Sequence, residues 1–258
     1  ARVIEIPKAE FQHGRTRNLG AREARGEYLI FATQDALPAD GFWVYNFVSA
    51  MEAFPEAAGA FGKHYPHAGA SAFTSKEIKD HFAGFESVPL LVDKYTDIEK
   101  WNARDRGWMQ VLHFYSDNNS CMRRSAWEEL PYPEVEYGED QLWAMQAIRR
   151  GWSKLYCPNA VVYHSHDYDY AETLERAEVE AWFFHRHFGY DMSVGNIDAA
   201  KAERDAATET LAALWRLPAG EAARKKRNTT AQLLGWELGR RRSEMEADAR
   251  SGGDRARG

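Results

Sequence analysis

The sequence predicts an α/β fold, and three observations support this. Short apolar runs such as Tyr28–Ala32 have the length of buried strands, and they alternate with amphipathic runs of helical period such as residues 42–54. Apolar residues make up 44% of the 258 residues, which is enough for a sizeable core. Gly26 and Pro38 separate the runs. Because strands that alternate with helices usually form parallel sheets, we expect a mostly parallel sheet flanked by helices.

In the first part of the chain, the apolar spacing defines an alternating series of elements. We expect strands at 3–6, Tyr28–Ala32 and 57–61, with helices at 16–24 and 42–54. Residues 62–108 lose this periodicity. We therefore expect a long, partly ordered excursion there, close to the functional site.

In the second part of the chain, the apolar spacing predicts further strands and then a helical region. Strands are expected at 111–115, 120–122, 155–157 and 161–163; helices are expected at 126–130, Glu139–Arg150, Tyr170–Phe188, 195–215 and 219–246. Residues 251–258, rich in Gly and Arg, are expected to be disordered. These patterns suggest an α/β domain over 1–195, a helical extension over 196–250 and a tail over 251–258.

The charge distribution limits the partners of the chain. The net charge is −6, but residues 1–200 are acidic overall whereas residues 201–258 carry an excess of Lys and Arg. An acidic main body argues against nucleic acid as a partner. The basic C-terminal helices could contact anionic lipid or an acidic partner, or they could simply present a solvated face. No sequence run approaches the ~20 apolar residues of a membrane span.

The two cysteines, Cys121 and Cys157, are too few for a disulfide framework or a cysteine metal cluster. Both lie in apolar, strand-like contexts, so we expect buried free thiols. Free thiols suit a reducing compartment, which predicts a cytoplasmic protein, or one peripheral at the inner face of the membrane.

Carboxylates and histidines stand where predicted strands and helices begin or end. Asp35 follows a buried strand, Glu139 and Asp140 open a helix, and His164 and His166 follow the last predicted strand. The carboxyl ends of strands in open α/β sheets face the ligand crevice, so these groups can converge there. Each also has a structural interpretation: a turn former, charges at a helix dipole, or core histidines.

The chemistry of these residue types indicates a metal site and a general base. A carboxylate with an imidazole suits Mg²⁺ or Mn²⁺ better than a thiolate-preferring metal. Mg²⁺ commonly binds through one or two carboxylates and substrate phosphates, which fits a nucleotide-diphosphate substrate. A carboxylate facing a sugar hydroxyl can act as general base. Residues 14–20 are basic and hold two glycines, so Arg15 or Arg17 could bind phosphate, although this is not a P-loop.

Taken together, four segments of the chain resemble family 2 glycosyltransferases of the GT-A (Rossmann-like) fold, especially the rhamnosyltransferase-like branch. The segments are residues 11–21, 26–36, 118–124 and 138–168, and the resemblance covers roughly residues 1–190. The family's D-x-D metal motif corresponds to Thr33-Gln34-Asp35, where Thr33 replaces the first Asp.

The resemblance implies a role for individual residues. Asp35 and His164 would bind Mg²⁺ or Mn²⁺, and Asp140 would be the general base. The expected donor-binding residues are Arg17, Asn18 and Gln34, and the expected acceptor-binding residues are Glu139, Trp143, Asn118 and Asn119.

The activity implied is inverting transfer of one sugar, with rhamnose as a candidate. The donor would be a nucleotide-diphosphate sugar and the acceptor a saccharide or lipid-linked molecule in cell-surface polysaccharide synthesis. The Gln-x-x-Arg-Trp signature of processive enzymes is absent from the sequence. Two alternatives stay open: a non-catalytic glycosyltransferase-like binding or scaffold domain, and a metal-dependent nucleotide-sugar hydrolase. The family's first βαβ unit has no counterpart here, so we expect an N-terminally truncated domain; the oligomeric state is not predicted.

Overall fold

The computed structural model describes residues 2–255 and divides into two compact units, residues 1–166 and 167–258. The first unit is built on a six-stranded sheet. Its strands are β1 (Tyr28–Ala32), β2 (Leu37–Pro38), β3 (Ala57–Tyr65), β4 (Leu91–Val92), β5 (Asn119–Arg123) and β6 (Ser153–Tyr163). Its α-helices are α1 (His13–Glu23), α2 (Trp43–Ala53), α3 (Ala72–Glu86), α4 (Ile98–Ala103), α5 (Arg106–His113), α6 (Arg124–Glu129) and α7 (Glu139–Arg150).

The α/β class is confirmed, but the sheet is mixed rather than mostly parallel. The strand order is β1-β5-β3-β6-β2, with β4 also paired to β6. Among the described residues, only β3 and β6 form a parallel pair. The alternation of strands and helices along the chain predicted a parallel sheet. This was wrong because β5 lies between β1 and β3 and runs antiparallel to both. β1, β3 and β6 still point the same way, so their carboxyl ends share one edge of the sheet.

Both faces of the sheet are covered by core clusters, as expected for an α/β layer architecture. Side chains alternate between the two faces along each strand. Phe61 of β3 packs in one cluster with Trp143 of α7, whereas the adjacent Ala60 packs in the other with Phe47 of α2. Cys121 and Cys157 are buried free thiols, as predicted, and Cys121 lies in the second cluster.

Four predicted strands are corrected by the structure. Residues 3–6 form no strand, and Val3 is 79% exposed, so the apolar run has no strand partner within residues 2–255. Residues 111–115 contain the end of α5, whose residues Trp108 and Leu112 lie one helical turn apart and are buried. The two short strands predicted at 155–157 and 161–163 are one strand, β6, interrupted by a register shift near Pro158, which has no N–H to donate.

The predicted excursion at 62–108 is mostly regular structure. It contains the end of β3, then α3, β4, α4 and the start of α5. Its helices begin at polar residues that accept backbone N–H groups; for example, the Asp105 carboxylate accepts the N–H of Trp108. Aromatic residues that are irregular in sequence, such as Phe82 and Phe85, pack into the first cluster. Tertiary packing of bulky side chains orders this segment.

Gly62 of β3 lies where the surrounding structure leaves no room for a side chain. A methyl group at Gly62 would clash with the carbonyl oxygen of Ala160 and the amide of Asn119. We expect Gly62→Ala to lower the free energy of unfolding by about 1–3 kcal/mol, as for other overpacked sites. Gly84 of α3 has open space at the same position, so Gly84→Ala should stabilise by about 0.5–1 kcal/mol. Denaturant unfolding of both variants tests these expectations. An unchanged free energy of unfolding in Gly62→Ala would contradict the predicted clash.

The second unit is helical. It begins at Asp167, so it includes the predicted helix Tyr170–Phe188, here α8, together with α9 (Ile197–Trp215) and α10 (Ala219–Arg255). Asp169 and Glu172 form a capping box that fixes the start of α8. Of the tail expected at 251–258, the backbone of 251–255 belongs to α10 and 256–258 lie outside the described residues. Among the described helices, none has an apolar stretch that could cross a membrane.

Candidate active site

The shared carboxyl edge of β1, β3 and β6 brings together the polar groups that the sequence singled out. Asp35 follows β1 and His164 follows β6. β5 runs in the opposite direction, so the residues that precede it, Asp117 and Asn118, reach the same edge. The first turn of α7, with Glu139 and Asp140, contacts Asp117 there.

Asp35 and two histidines form a compact cluster with the donor atoms of a metal site. Asp35 Oδ2 lies 3.1 Å from His166 Nε2 and 3.6 Å from His164 Nε2. The two Nε2 atoms are 3.1 Å apart. Burial alone would raise the pKa of Asp35, but Thr33, its own backbone N–H and the two imidazoles lower it below its ordinary value. One carboxylate and two imidazoles fit a divalent cation such as Mn²⁺.

His166 was not among the residues assigned to the metal, although its spacing from His164 was a usable signal. The backbone N–H of His164 donates to the Tyr65 carbonyl at 2.9 Å, which extends the β3–β6 pairing past the end of the strand. The Asn118 amide lies 3.3 Å from His164 Nε2. These contacts hold the His164 ring towards Asp35 and His166.

His64 of β3 lies behind this cluster. Its ring centroid is 5.3 Å from that of His164, in an edge-on arrangement. Burial lowers the pKa of His64 to about 3, with a further contribution from His164 and His81. His64 is therefore neutral near pH 7 and adds no positive charge behind the cluster.

Asp140 is the centre of a second, carboxylate cluster. Its Oδ1 accepts the Gln141 backbone N–H at 2.8 Å, and its Oδ2 accepts the Asp117 backbone N–H at 3.3 Å. Burial, reinforced by the negative charges of Glu139 and Asp117, raises the pKa of Asp140 well above its ordinary value. A carboxylate with a raised pKa takes up a proton more readily, as a general base requires.

Arg17 joins the members of this cluster. Its Nε lies 3.2 Å from Asp117 Oδ2, and its Nη1 donates to Glu139 Oε1. Burial alone would lower the pKa of Arg17, but Asp117, Glu139 and Asp140 raise it above its ordinary value. Arg17 therefore stays cationic and offsets part of the buried negative charge. Its expected contact with donor phosphate stays a prediction.

Three residues expected to contact ligands are instead part of the scaffold. The Trp143 side chain is 1% exposed and its indole N–H donates to the Leu130 carbonyl. The buried Asn119 amide donates to main-chain carbonyls, and buried Asn18 links α1 to the main chain of Tyr132. These side chains have almost no surface for a ligand, so Trp143 and Asn119 are corrected as acceptor residues and Asn18 as a donor residue.

Gln34, Asn118 and Glu139 keep their predicted roles as proposals. Gln34 is exposed next to Asp35, and Asn118 is half-buried beside His164. Glu139 is buried against Arg17, so its direct surface for an acceptor is small. Asp117 is a further member of the site that was not predicted, although it precedes Asn118 in a polar run between two apolar segments.

The comparisons with known proteins agree with this fold. Residues 1–130 match the family described as Glycosyl transferase family 2. The chain is 33% identical over 178 residues to the O-antigen chain rhamnosyltransferase RfbN of Salmonella typhimurium, and 28% identical to WbaN of Salmonella anatum. Each alignment covers 67% of this chain and 52% of the relative, so the chain spans about half the length of the curated relatives it matches.

A solved structure shares the fold. The mannosyltransferase PcManGT from Pyrobaculum calidifontis, in complex with GDP-Man and Mn²⁺, superimposes with a TM-score of 0.53 at 15% identity. The match covers 88% of this chain and 66% of that one. The chain therefore belongs to glycosyl transferase family 2, and its first unit has the GT-A-like architecture of that structure.

Proposed function

We propose that this chain is the catalytic part of a glycosyltransferase that moves one sugar from a nucleotide-diphosphate donor to a saccharide or lipid-linked acceptor. Membership of glycosyl transferase family 2 supports the reaction class. Both Salmonella relatives are named as O-antigen chain rhamnosyltransferases, which supports rhamnose as the sugar and cell-surface polysaccharide as the product.

The observation that carries the proposal is the position of Asp140. This half-buried carboxylate, whose pKa is raised, accepts the N–H of Asp117, and the next residue, Asn118, contacts His164. A proton acceptor and a cation-binding cluster are thus connected through two consecutive residues. Transfer from a diphosphate donor requires both functions, one at the attacking hydroxyl and one at the departing phosphate.

The proposed reaction is a single displacement with inversion. The acceptor oxygen attacks the anomeric carbon of the donor from the face opposite the diphosphate, and the new carbon–oxygen bond forms as the bond to the diphosphate oxygen breaks. The bond pair leaves with the nucleoside diphosphate. The proton of the acceptor hydroxyl passes to Asp140.

Asp35, His164 and His166 are the residues that would hold a divalent ion. Their donor atoms all lie within 4.8 Å of one another, which fits a single ion. Bound there, Mg²⁺ or Mn²⁺ would offset the charge that develops on the diphosphate. The second imidazole favours Mn²⁺ over Mg²⁺, because Mg²⁺ prefers oxygen ligands. Gln34 is the proposed donor contact beside this cluster, and Asn118 and Glu139 are the proposed acceptor contacts.

A turnover assay separates transfer from the two alternatives. The chain is incubated with nucleoside-diphosphate-rhamnose and Mn²⁺, with and without a saccharide or lipid-linked acceptor, and release of nucleoside diphosphate is measured. Transfer predicts release that depends on the acceptor. Equal release without acceptor would indicate a hydrolase. Donor binding without release would indicate a non-catalytic domain, which the replacement of the family's first motif Asp by Thr33 would favour.

The surroundings of the enzyme are also proposals. A cytoplasmic location, peripheral at the inner membrane face, would bring the site to lipid-linked acceptors. The basic C-terminal helices are the proposed membrane contact. However, several arginines of α10 are paired within the helix, as Arg240 is with Glu237 and Glu244, which reduces the charge available to lipid.

A further inference from the structure

The Asp117 side chain contacts three other residues of the site region. Its carboxylate is fully buried, and Oδ1 accepts the hydroxyls of Ser120 at 2.5 Å and Tyr132 at 2.8 Å. Oδ2 faces Arg17 Nε at 3.2 Å. Burying a carboxylate is costly unless its oxygens are paired, and here each oxygen has a donor or a cation next to it.

The backbone N–H of Asp117 points towards Asp140, the proposed base. This N–H donates to Asp140 Oδ2, while Arg17 reaches from Asp117 to Glu139, the neighbour of Asp140. The contacts therefore form a closed ring through Asp117, Arg17, Glu139 and Asp140. This ring joins α1, the segment before β5 and the first turn of α7.

The charged groups around Asp140 have opposite effects on its pKa. From α1 it faces the Arg17 cation; from the segment before β5, the Asp117 carboxylate; and from its own helix, the Glu139 carboxylate. Other titratable groups on the packed elements that interact with Asp117 or Asp140 are His13, Tyr115 and Tyr132. Arg17 lowers the pKa of Asp140, whereas burial, Glu139 and Asp117 raise it.

We propose that Asp117 and Arg17 are positioning residues that together fix the orientation and the charge of the base Asp140 without touching either sugar. This inference rests on the proposed function, because it takes Asp140 as the base. It also gives Arg17 a role other than phosphate binding, because its guanidinium is held between the carboxylates of Asp117 and Glu139, next to Asp140.

The test is the pH profile of acceptor-dependent turnover. Loss of the cation in Arg17→Met makes Asp140 harder to ionise, so the acidic limb should move to higher pH. Loss of the anion in Asp117→Asn should move it to lower pH. Each shift should be on the order of one pH unit, as for other neighbouring charges. The double variant should return towards the wild-type midpoint.

Matched controls remove the same charges elsewhere. Lys76 and Asp80 form an exposed ion pair on α3. Lys76→Met and Asp80→Asn change the net charge as the test variants do, and their midpoints should equal that of the wild type. Arg17→Lys keeps the cation and should keep the midpoint close to the wild-type value. Tyr132→Phe removes one hydrogen bond to Asp117 but no charge at neutral pH, and it should lower turnover with little change in midpoint.

The outcomes separate the inference from the proposed function. Unchanged midpoints, or shifts in the same direction for both charge variants, would overturn the positioning role while leaving transferase activity intact. Absence of turnover in the wild type would overturn the proposed function instead. In that case the pH dependence of thermal unfolding, compared with and without Asp140→Asn, still reports the ionisation of Asp140. The response of this ionisation to Arg17→Met and Asp117→Asn, which should again be opposite in direction, then decides the inference without an activity assay.

Discussion

Replacing Asp140 by Asn should lower turnover by about 10²–10⁴-fold, the usual contribution of a general base. Asn has nearly the same shape but cannot take a proton from the acceptor hydroxyl. Because Asp140 contacts the Asp117 N–H rather than the Asp35 cluster, donor affinity and metal affinity should change little. Equal turnover in wild type and variant would show that another group is the base.

The same variant should be more stable than the wild type as the pH rises. The folded-state pKa of Asp140 is raised by burial and by Glu139 and Asp117, so the native state is favoured when this group is protonated. That stability is fully present below the ordinary carboxyl pKa and is lost as the pH rises through the folded pKa. Asn stays neutral and avoids the loss.

Thermal unfolding across the acid and neutral range measures this difference. Below the ordinary carboxyl pKa the two proteins should unfold at similar temperatures, and above it the Asn variant should unfold at a higher temperature. Asp198→Asn is a control, because Asp198 lies in the first turn of α9 and is exposed. A variant that is less stable than the wild type at neutral pH would contradict the raised pKa.

Loss of any one member of the Asp35 cluster should weaken Mn²⁺ binding strongly. Asp35→Ala, His164→Ala and His166→Ala each remove one of three donor atoms that converge on one point. The loss should exceed the about 10–100-fold that removal of an outer hydrogen-bond partner costs a metal site. Donor binding that depends on Mn²⁺ should fall in parallel.

Calorimetric titration of Mn²⁺, first alone and then with nucleoside diphosphate, measures both effects. His187→Ala in α8 is the matched histidine control and should bind Mn²⁺ as the wild type does. His166→Ala is the most informative variant, because the family resemblance pointed to His164 alone. Wild-type affinity in one of the three variants would remove that residue from the metal site and reduce the cluster to the other two.

Elements with a clear period were predictable from the sequence. β1, α7 and α8 were predicted with the bounds that the structure shows. Residues 111–115 were misread because their apolar run belongs to the end of α5, where a helix enters the core. The direction of β5 is a tertiary property; its local sequence does not say that it pairs between β1 and β3.

The candidate site, like the fold, could be predicted from the sequence only in part. The positions of Asp35, His164 and Asp140 could be predicted because each stands at the end of a strand or the start of a helix. The pairing of Arg17 with Asp117 and Glu139 could not, because the partners are about a hundred residues apart in the chain. Trp143 and Asn119 were placed at the acceptor because the resemblance carries no information about burial.

The most direct test of the central claim is the structure of the product. Proton NMR can follow a mixture of this chain, Mn²⁺, nucleoside-diphosphate-rhamnose and acceptor. We predict a new glycosidic bond with the anomeric configuration inverted relative to the donor, one nucleoside diphosphate released for each bond formed, and loss of both signals in Asp140→Asn. Retained configuration, or free rhamnose formed equally without acceptor, would contradict the account.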